Sequence, residues 1–591
     1  MLIISLISLI TCKALSFIRP NLAHHFYLRV STIILLFSSF LVFNCTDLSG
    51  IIDSGIGIYG GLFQVTHIIQ TIEIILLLIG SLILISWPIK IKLNNNSLDL
   101  FKNYTNNNYN YINDVYVKDN FLKNSTNYTI TIIFSSLGAS LLLSSSDLIS
   151  MYICIELQSF SLYILATLFK DLENSTSAGL KYFLLGGLAS CLILLGSGLV
   201  YNSIGLTNFD SISTLISNQN LMTLKGVQLG IVIIFIGFLI KIAAAPLHNW
   251  SPDVYDQTPS IVTIWLTIIP KLSILILLFE IFSIFNLDYL GQDLISQILL
   301  LSEENYFPYI DFFTKDLWNN KLLKYLLLIV SLISLITGGI VGLNQKHIKR
   351  LLAYSTISHL GFILLSLTIF SEQSIESFLF YIIQYSITNL NIFLIIIGLS
   401  YLNYNFIYNK LNNNNYLLNR IKDIILISEF KSQFYFNPFI SICFSICFFS
   451  LAGIPPLIGF FSKQFVLLSS IQEGYYFITI VAIIVSVISA SYYLKVIKEL
   501  YTESQNSNEE KINNNKINYN YFEENNNNKV NTIFIDYNNS TINNYLKDKY
   551  ILSSSHSYLI STITFFILFF IFKPSLILNP SLIVSLTIFP I

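Results

Sequence analysis

Gly230–Trp250 reads GIVIIFIGFLIKIAAAPLHNW, apolar and long enough to cross a bilayer, with Lys241 inside it and Pro246, His248 and Trp250 near its end. A second run, Ile261-VTIWLTIIP-Lys271-LSILILL, has the same character. A lysine at mid-membrane costs about 2.5–3.5 kcal/mol on insertion scales, so an ionisable residue there marks function by default. Pro246 brings no backbone donor and is expected to break or kink its helix. Irregular backbone at membrane depth is tolerated only inside protein or along a wet cavity. Two intramembrane lysines flanking a Pro/His/Trp/Asp-rich link therefore point to a protein that moves charge.

The rest of the chain agrees. Of its 591 residues 54% are hydrophobic and only 11% charged, far outside soluble norms. Apolar stretches of spanning length recur from end to end, without the two-residue alternation of membrane barrels. The sequence predicts an all-α, polytopic membrane protein of about fourteen spanning helices. They fall near 2–17, 27–45, 61–88, 128–147, 149–169, 180–204, 228–249, 261–283, 322–344, 350–370, 376–402, 436–461, 465–496 and 557–573, with 574–591 a short last candidate. The net charge of −1 and the lack of a basic stripe give no footing for nucleic acid. The six cysteines lie mostly in apolar runs and read as small buried hydrophobes. Lys13 follows the first apolar stretch instead of preceding it, so that helix reads as retained.

Three Asn-, Tyr- and Lys-rich insertions, 94–127, 405–421 and 502–550, interrupt the apolar pattern and read as flexible loops. They divide the chain into N-terminal helices over 1–90, a first half over 128–283, a second half over 322–496, a polar loop over 502–550 and a C-terminal segment over 551–591. Segment 284–321 reads as a surface link, and Ile421-KDIILISEFKS as an interfacial helix or solvated connector. The abundance of Asn and Ile is what an AT-rich organellar genome would encode.

Glu156 lies in Ser146-DLISMYICIELQSFSLYILA with no cation nearby in sequence. Desolvation favours the neutral form of a lone carboxylate or ammonium, and an opposite charge beside it favours the charged form. The two effects are similar in size, so moving Glu156 toward or away from Lys241 would toggle whether a proton is held. In Leu451-AGIPPLIGFFS-Lys463, Pro455 and Pro456 precede a third lysine and predict a second broken helix. Broken helices in corresponding places are the mark of inverted repeats. Asn344-QKHIKRLLAYSTISHLGF opens with a basic cluster, read first as a topology determinant, and carries His359 within the span. Lys181, in Ala178-GLKYFLLGGLAS, together with His248 and His359, completes the candidate relay; Glu73 and Glu280 rank below the lysines.

Six stretches in order, IELQS at 155–159, GLKYF at 179–183, KIAAAPLHNW at 241–250, PK at 270–271, KRLLAYSTISHLGF at 349–362 and GIPPLIGFFSK at 453–463, resemble the antiporter-like subunits of respiratory complex I. Their relatives in multisubunit Na+/H+ antiporters and membrane-bound hydrogenases share the pattern. WSPDVYDQTPS at 250–260 is most similar to the subunit 2 family of NADH:ubiquinone oxidoreductase, with Gln257 standing where that family usually has Gly. The resemblance implies proton translocation through Glu156 paired with Lys241, with Lys271 leading to a central hydrophilic axis and Lys463 exchanging protons at its far end. It implies membrane and redox partner subunits, neighbouring antiporter-like subunits and lipids as surroundings, in a mitochondrial inner membrane or a bacterial cytoplasmic membrane. NADH, FMN, iron–sulfur clusters and ubiquinone are implied in the partners, because this chain has no Rossmann fingerprint, flavin motif or iron–sulfur cysteine set. A cation/proton antiporter subunit is the alternative expectation.

Overall fold

The computed structural model describes residues 1–16, 24–49, 55–85, 111–170, 172–218, 221–300, 321–411, 423–502 and 554–588. Among them, eleven helices are long and apolar enough to cross a membrane. The N-terminal helix α1 (Leu2–Ser16) and two broken helices described below bring the total to about fourteen.

After α2 (His24–Ser49) the chain forms a two-stranded hairpin, β1 (Ile56–Ile58) against β2 (Phe63–Val65), before α3 (His67–Ile85). The expected helix at 61–88 therefore starts later. Gly60 and Gly61 take positive φ values of 71° and 88° at the turn, a conformation that glycine adopts without steric cost.

The centre of the molecule is a series of five crossings, with one short extra helix, that occurs twice. The first comprises α4 (Tyr111–Leu143), α5 (Leu148–Ala166), α6 (Glu173–Ile204), the surface helix α7 (Phe209–Asn218), the broken helix α8/α9 (Leu221–Ile242 and Trp250–Gln257) and α10 (Ser260–Leu300). The second comprises α11 (Lys321–Leu343), α12 (Ile348–Ile369), α13 (Glu372–Leu411), the short α14 (Gln433–Phe436), the broken helix α15/α16 (Pro438–Ala452 and Ile458–Gln472) and α17 (Tyr476–Tyr501). The matching extends to single bonds. Asp147, just before α5, bridges Asn208, while His347, just before α12, bridges Leu426. The flanking amides repeat too: Leu148 donates to Thr207 (3.0 Å) and Ile348 to Ile425 (2.9 Å). A Cβ on Gly138 would lie 2.8 Å from the Gln158 amide nitrogen, and one on Gly338 would lie 2.5 Å from that of Ser358. Both glycines let the first two helices of their series touch backbone to backbone. Five crossings is an odd number, so the second series enters from the opposite side and the repeats are inverted.

Helices α10 and α12 form the heart of the fold, each with 94% of its membrane window buried, and α13 lies beside them at 89%. The chain closes with α18 (Ser554–Phe569) and α19 (Ser575–Ile588).

Several boundaries differ from expectation. The span expected at 228–249 ends at Ile242, four residues before Pro246. The spans at 436–461 and 465–496 become α15, α16 and α17, with turns at Gly453 and Gly474. Part of the polar tract 94–127 is helical, because α4 begins at Tyr111, and α10 and α13 run on to Leu300 and Leu411. No interfacial helix forms from 423 to 432: Leu426 bridges His347, and a single 3-10 turn follows at Ile427–Phe430. The expected polar loop at 502–550 lies almost entirely outside the described residues.

Candidate functional site

Lys241 stands in the last turn of α8, just ahead of the break. Trp250, which opens α9, reaches back and donates its indole N–H to the carbonyl of Ile240 (2.8 Å), which also accepts from the Ala243 amide (3.1 Å). Glu156 comes from α5, and its Oε1 is 3.5 Å from Lys241 Nζ, an ion pair too long for a strong hydrogen bond. The two side chains are 6% and 17% exposed. Beside them is a cavity of about 20 Å³, lined among others by Gln158, Tyr182, Lys241 and Trp250, with room for a water molecule.

Lys271 follows Pro270 in α10 and is 2% exposed. Its ammonium donates to Thr356 Oγ1 (2.9 Å) and stands over the Tyr255 ring at 5.4 Å. Lys463, in α16 and 8% exposed, donates to the carbonyl of Ala452 (3.0 Å), the last residue of α15, and lies 5.8 Å from the Phe362 ring. His359 lies on α12 between Thr356, which Lys271 bonds, and Phe362, which Lys463 faces. Its Nδ1 is 2.8 Å from the Tyr381 hydroxyl and its Nε2 3.2 Å from that of Tyr493.

One helix face organises the line. Thr356, His359 and Phe362 are spaced three apart on α12, so they stack on one side of it. Thr356 takes the bond from Lys271, His359 the two tyrosines, and Phe362 the Lys463 cation. Thr356, Tyr381 and Tyr493 were not singled out in the sequence. Neither was Gln158, whose amide donates to Ser273 (3.0 Å) at the edge of the Lys241 cavity.

Lys181 and His248 stand apart from this line. Lys181 is half-exposed and pairs with Asp253 at 3.0 Å. His248 lies in the α8/α9 break, partly exposed, with its ring 6.2 Å from Tyr354. Glu73 and Glu280 are half-buried on α3 and α10 and take no part in the lysine contacts described above.

Lys181 belongs to a surface network that joins the two series. Arg350 reaches Asp253 (3.4 Å) and Asp256 (3.0 Å), and His347 reaches Asp256 (2.9 Å). Deeper in, Lys349 pairs with Asp423 (2.7 Å) and donates to the Thr258 carbonyl (2.7 Å). Asp423 also accepts from the Ser260 amide (2.8 Å) and hydroxyl (3.0 Å). Burial pushes the Asp423 carboxyl up, but the Lys349 ammonium and the Ser260 donors outweigh it and hold it below its ordinary value. The basic cluster thus pairs with the acids of α9 and with Asp423 ahead of α14. The only sequence signal was opposite charge in two segments about 90 positions apart. Among the described residues no three His, Cys, Asp or Glu side chains are grouped to hold a metal ion.

Comparison with known proteins gives this geometry a family context. Residues 145–302 and 308–489, more than half of the chain, match the family described as NADH:quinone oxidoreductase/Mrp antiporter, TM. NADH-ubiquinone oxidoreductase chain 2 of Rhizopus oryzae is 41% identical over 570 residues, covering 95% of each chain. NADH-quinone oxidoreductase subunit N of Wolbachia sp. subsp. Brugia malayi is 35% identical over 372 residues, 63% of this chain and 69% of that one. In solved structures, a chain of respiratory complex I from Thermus thermophilus superposes with a TM-score of 0.61 at 18% identity, covering 98% of this chain and 99% of its own.

Proposed function

The chain belongs to the NADH:quinone oxidoreductase/Mrp antiporter transmembrane family, and from that premise we propose that its buried lysines carry the protons this family of subunits moves. It is a proton-translocating, multi-pass membrane subunit of mitochondrial NADH:ubiquinone oxidoreductase. The reading adds roles for particular side chains. Glu156 and Lys241 form the loading site, Lys271 and His359 pass protons inward along α12, and Lys463 exchanges them at the second helix break. The inverted halves, 128–283 and 322–496, each supply a half-path. NADH, flavin, iron–sulfur clusters and ubiquinone reside in partner subunits, and neighbouring antiporter-like subunits flank this one in the membrane.

The observation that carries the proposal is the Glu156–Lys241 pair, buried beside a small cavity at a broken helix. At 3.5 Å the attraction is strong in a low-dielectric surround and falls with distance. Separating the pair removes the carboxylate's hold on the ammonium, and burial then favours loss of the proton. Rejoining restores the hold. Lifting one charge against 100 mV costs about 2.3 kcal/mol, and the redox partners supply that work. Lys181 and His248, near the surface and in the break, serve as entry residues.

Lys241→Met keeps a long apolar side chain and removes the charge. In the purified complex reconstituted in vesicles, the variant is expected to assemble and to translocate fewer protons per NADH oxidised. Undiminished translocation by the intact variant complex would sink the relay.

A further inference from the structure

Tyr255, on the short helix after the first break, is 1% exposed, and its hydroxyl has no hydrogen-bond partner among the described residues. A buried hydroxyl without a partner costs about 1–3 kcal/mol, and such atoms are rare enough in folded proteins that each calls for a reason. Its surroundings supply one. The Tyr182 and Tyr385 hydroxyls are its titratable neighbours, and its ring meets that of Trp250 edge to face at 6.2 Å. Tyr182 lines the Lys241 cavity and stacks on Trp250 at 4.8 Å. Tyr385 is 5.9 Å from the His359 ring, and its hydroxyl lies toward Thr356 and Asn389. The Tyr255 ring meanwhile carries the Lys271 ammonium at 5.4 Å. Three buried tyrosines thus run from the Lys241 cavity to the threonine that receives Lys271.

Resting on the relay proposed above, we infer that the Tyr255 hydroxyl is the connecting group between the Glu156–Lys241 site and Lys271. A hydroxyl carries one hydrogen and two lone pairs, so it accepts and donates at once. Proton hopping through a water on either side requires that property. No bond is made or broken at Tyr255 in the net step: one proton arrives on its oxygen as another leaves toward Tyr385 and Thr356. Its place on α9 ties the connection to the break, because Asp253 and Asp256 fasten the same helix to α12. Tyr255 accordingly takes part in the transfer itself, as a carrier between the two lysine sites.

Tyr255→Phe removes one oxygen and keeps the ring that holds Lys271. The variant complex, in vesicles, is read for the rate of proton translocation and for thermal stability, beside Lys241→Met. The expected result is a fall of about tenfold in the rate of proton delivery, about 1.4 kcal/mol in barrier, with thermal stability unchanged or raised. Stability holds because an unsatisfied buried group has been removed. Tyr385→Phe is expected to act in the same direction. Full translocation in Tyr255→Phe with loss in Lys241→Met overturns the role of Tyr255 alone. Loss of translocation together with lowered thermal stability also overturns it, in favour of a structural role. Full translocation in both variants overturns the underlying relay.

Discussion

Asp423 shows how much one carboxylate can hold together. It binds Lys349, which is 3% exposed, and both donors of Ser260, so it ties the start of α12 to the start of α10. Removing one partner of a buried pair costs about 3–5 kcal/mol; Asp423 is 22% exposed, which places Asp423→Asn near the lower end, at about 3 kcal/mol. Because its carboxyl is held below the ordinary value, the stabilisation is complete above about pH 4 and is lost as pH falls through the folded-state value. The gap in thermal unfolding between wild type and Asp423→Asn should therefore narrow in acid; a gap indifferent to pH would rule out the ion pair as its origin. This residue was illegible beforehand, since its partner Ser260 stands 163 positions away. Lys241, Lys271, Lys463 and Glu156 were legible because a charge in an apolar run is anomalous wherever it falls. Thr356 was not. Most serines and threonines in these helices bond the carbonyl three residues back, and Thr356 does so as well, to Ala353. Its second bond, from Lys271, has no counterpart in sequence pattern.

Among the helices, α6 and α8 cross backbone to backbone. A Cβ on Gly230 would lie 2.8 Å from the Gly196 carbonyl, and one on Gly196 would lie 2.6 Å from that of Gly230. Small residues that let backbones touch are how membrane helices gain packing without a hydrophobic drive. Gly230→Val is expected to force the two apart and cost about 1–3 kcal/mol, displacing the helix that ends in Lys241. Native gels and vesicle assays should show less assembled complex and lower proton flux together; normal assembly with normal flux would show that the crossing tolerates separation. The breaks in α8/α9 and α15/α16 were readable because proline cannot continue a helix, and the lysines beside them were as plain. The hairpin before α3 was hidden inside an apolar run, where its glycines set the turn. The stretch from 423 to 432 carried an amphipathic pattern and still formed no helix. Its backbone is claimed instead by Lys346 and Ile348 across the start of α12.

Across the whole molecule, the two series meet on one surface through Arg350, Asp253, Asp256 and Lys181. Arg350 and Asp253 are each 38% exposed, and exposed pairs contribute about 0–1 kcal/mol. Arg350→Met is therefore expected to lower thermal stability by about 1 kcal/mol or less in dilute buffer. That difference should fade at 1 M salt, where charges are screened within about 3 Å. A loss equal at both salt concentrations would assign Arg350 to packing. The repeat itself was visible only as two proline breaks. Its proof lies in paired bonds such as Leu148–Thr207 and Ile348–Ile425, which side-chain identity does not record. The breaks also have an electrical consequence. Every helix ends in a field equivalent to about half a negative charge. Lys241 lies in the last turn of α8, and Lys463 binds the last carbonyl of α15, so both ammonium groups sit at negative poles. In the second half, where Lys463 has no carboxylate partner among the described residues, the pole of α15 does for that lysine what Glu156 does for Lys241. Snapping a helix in the membrane thereby creates a counter-ion made of backbone alone.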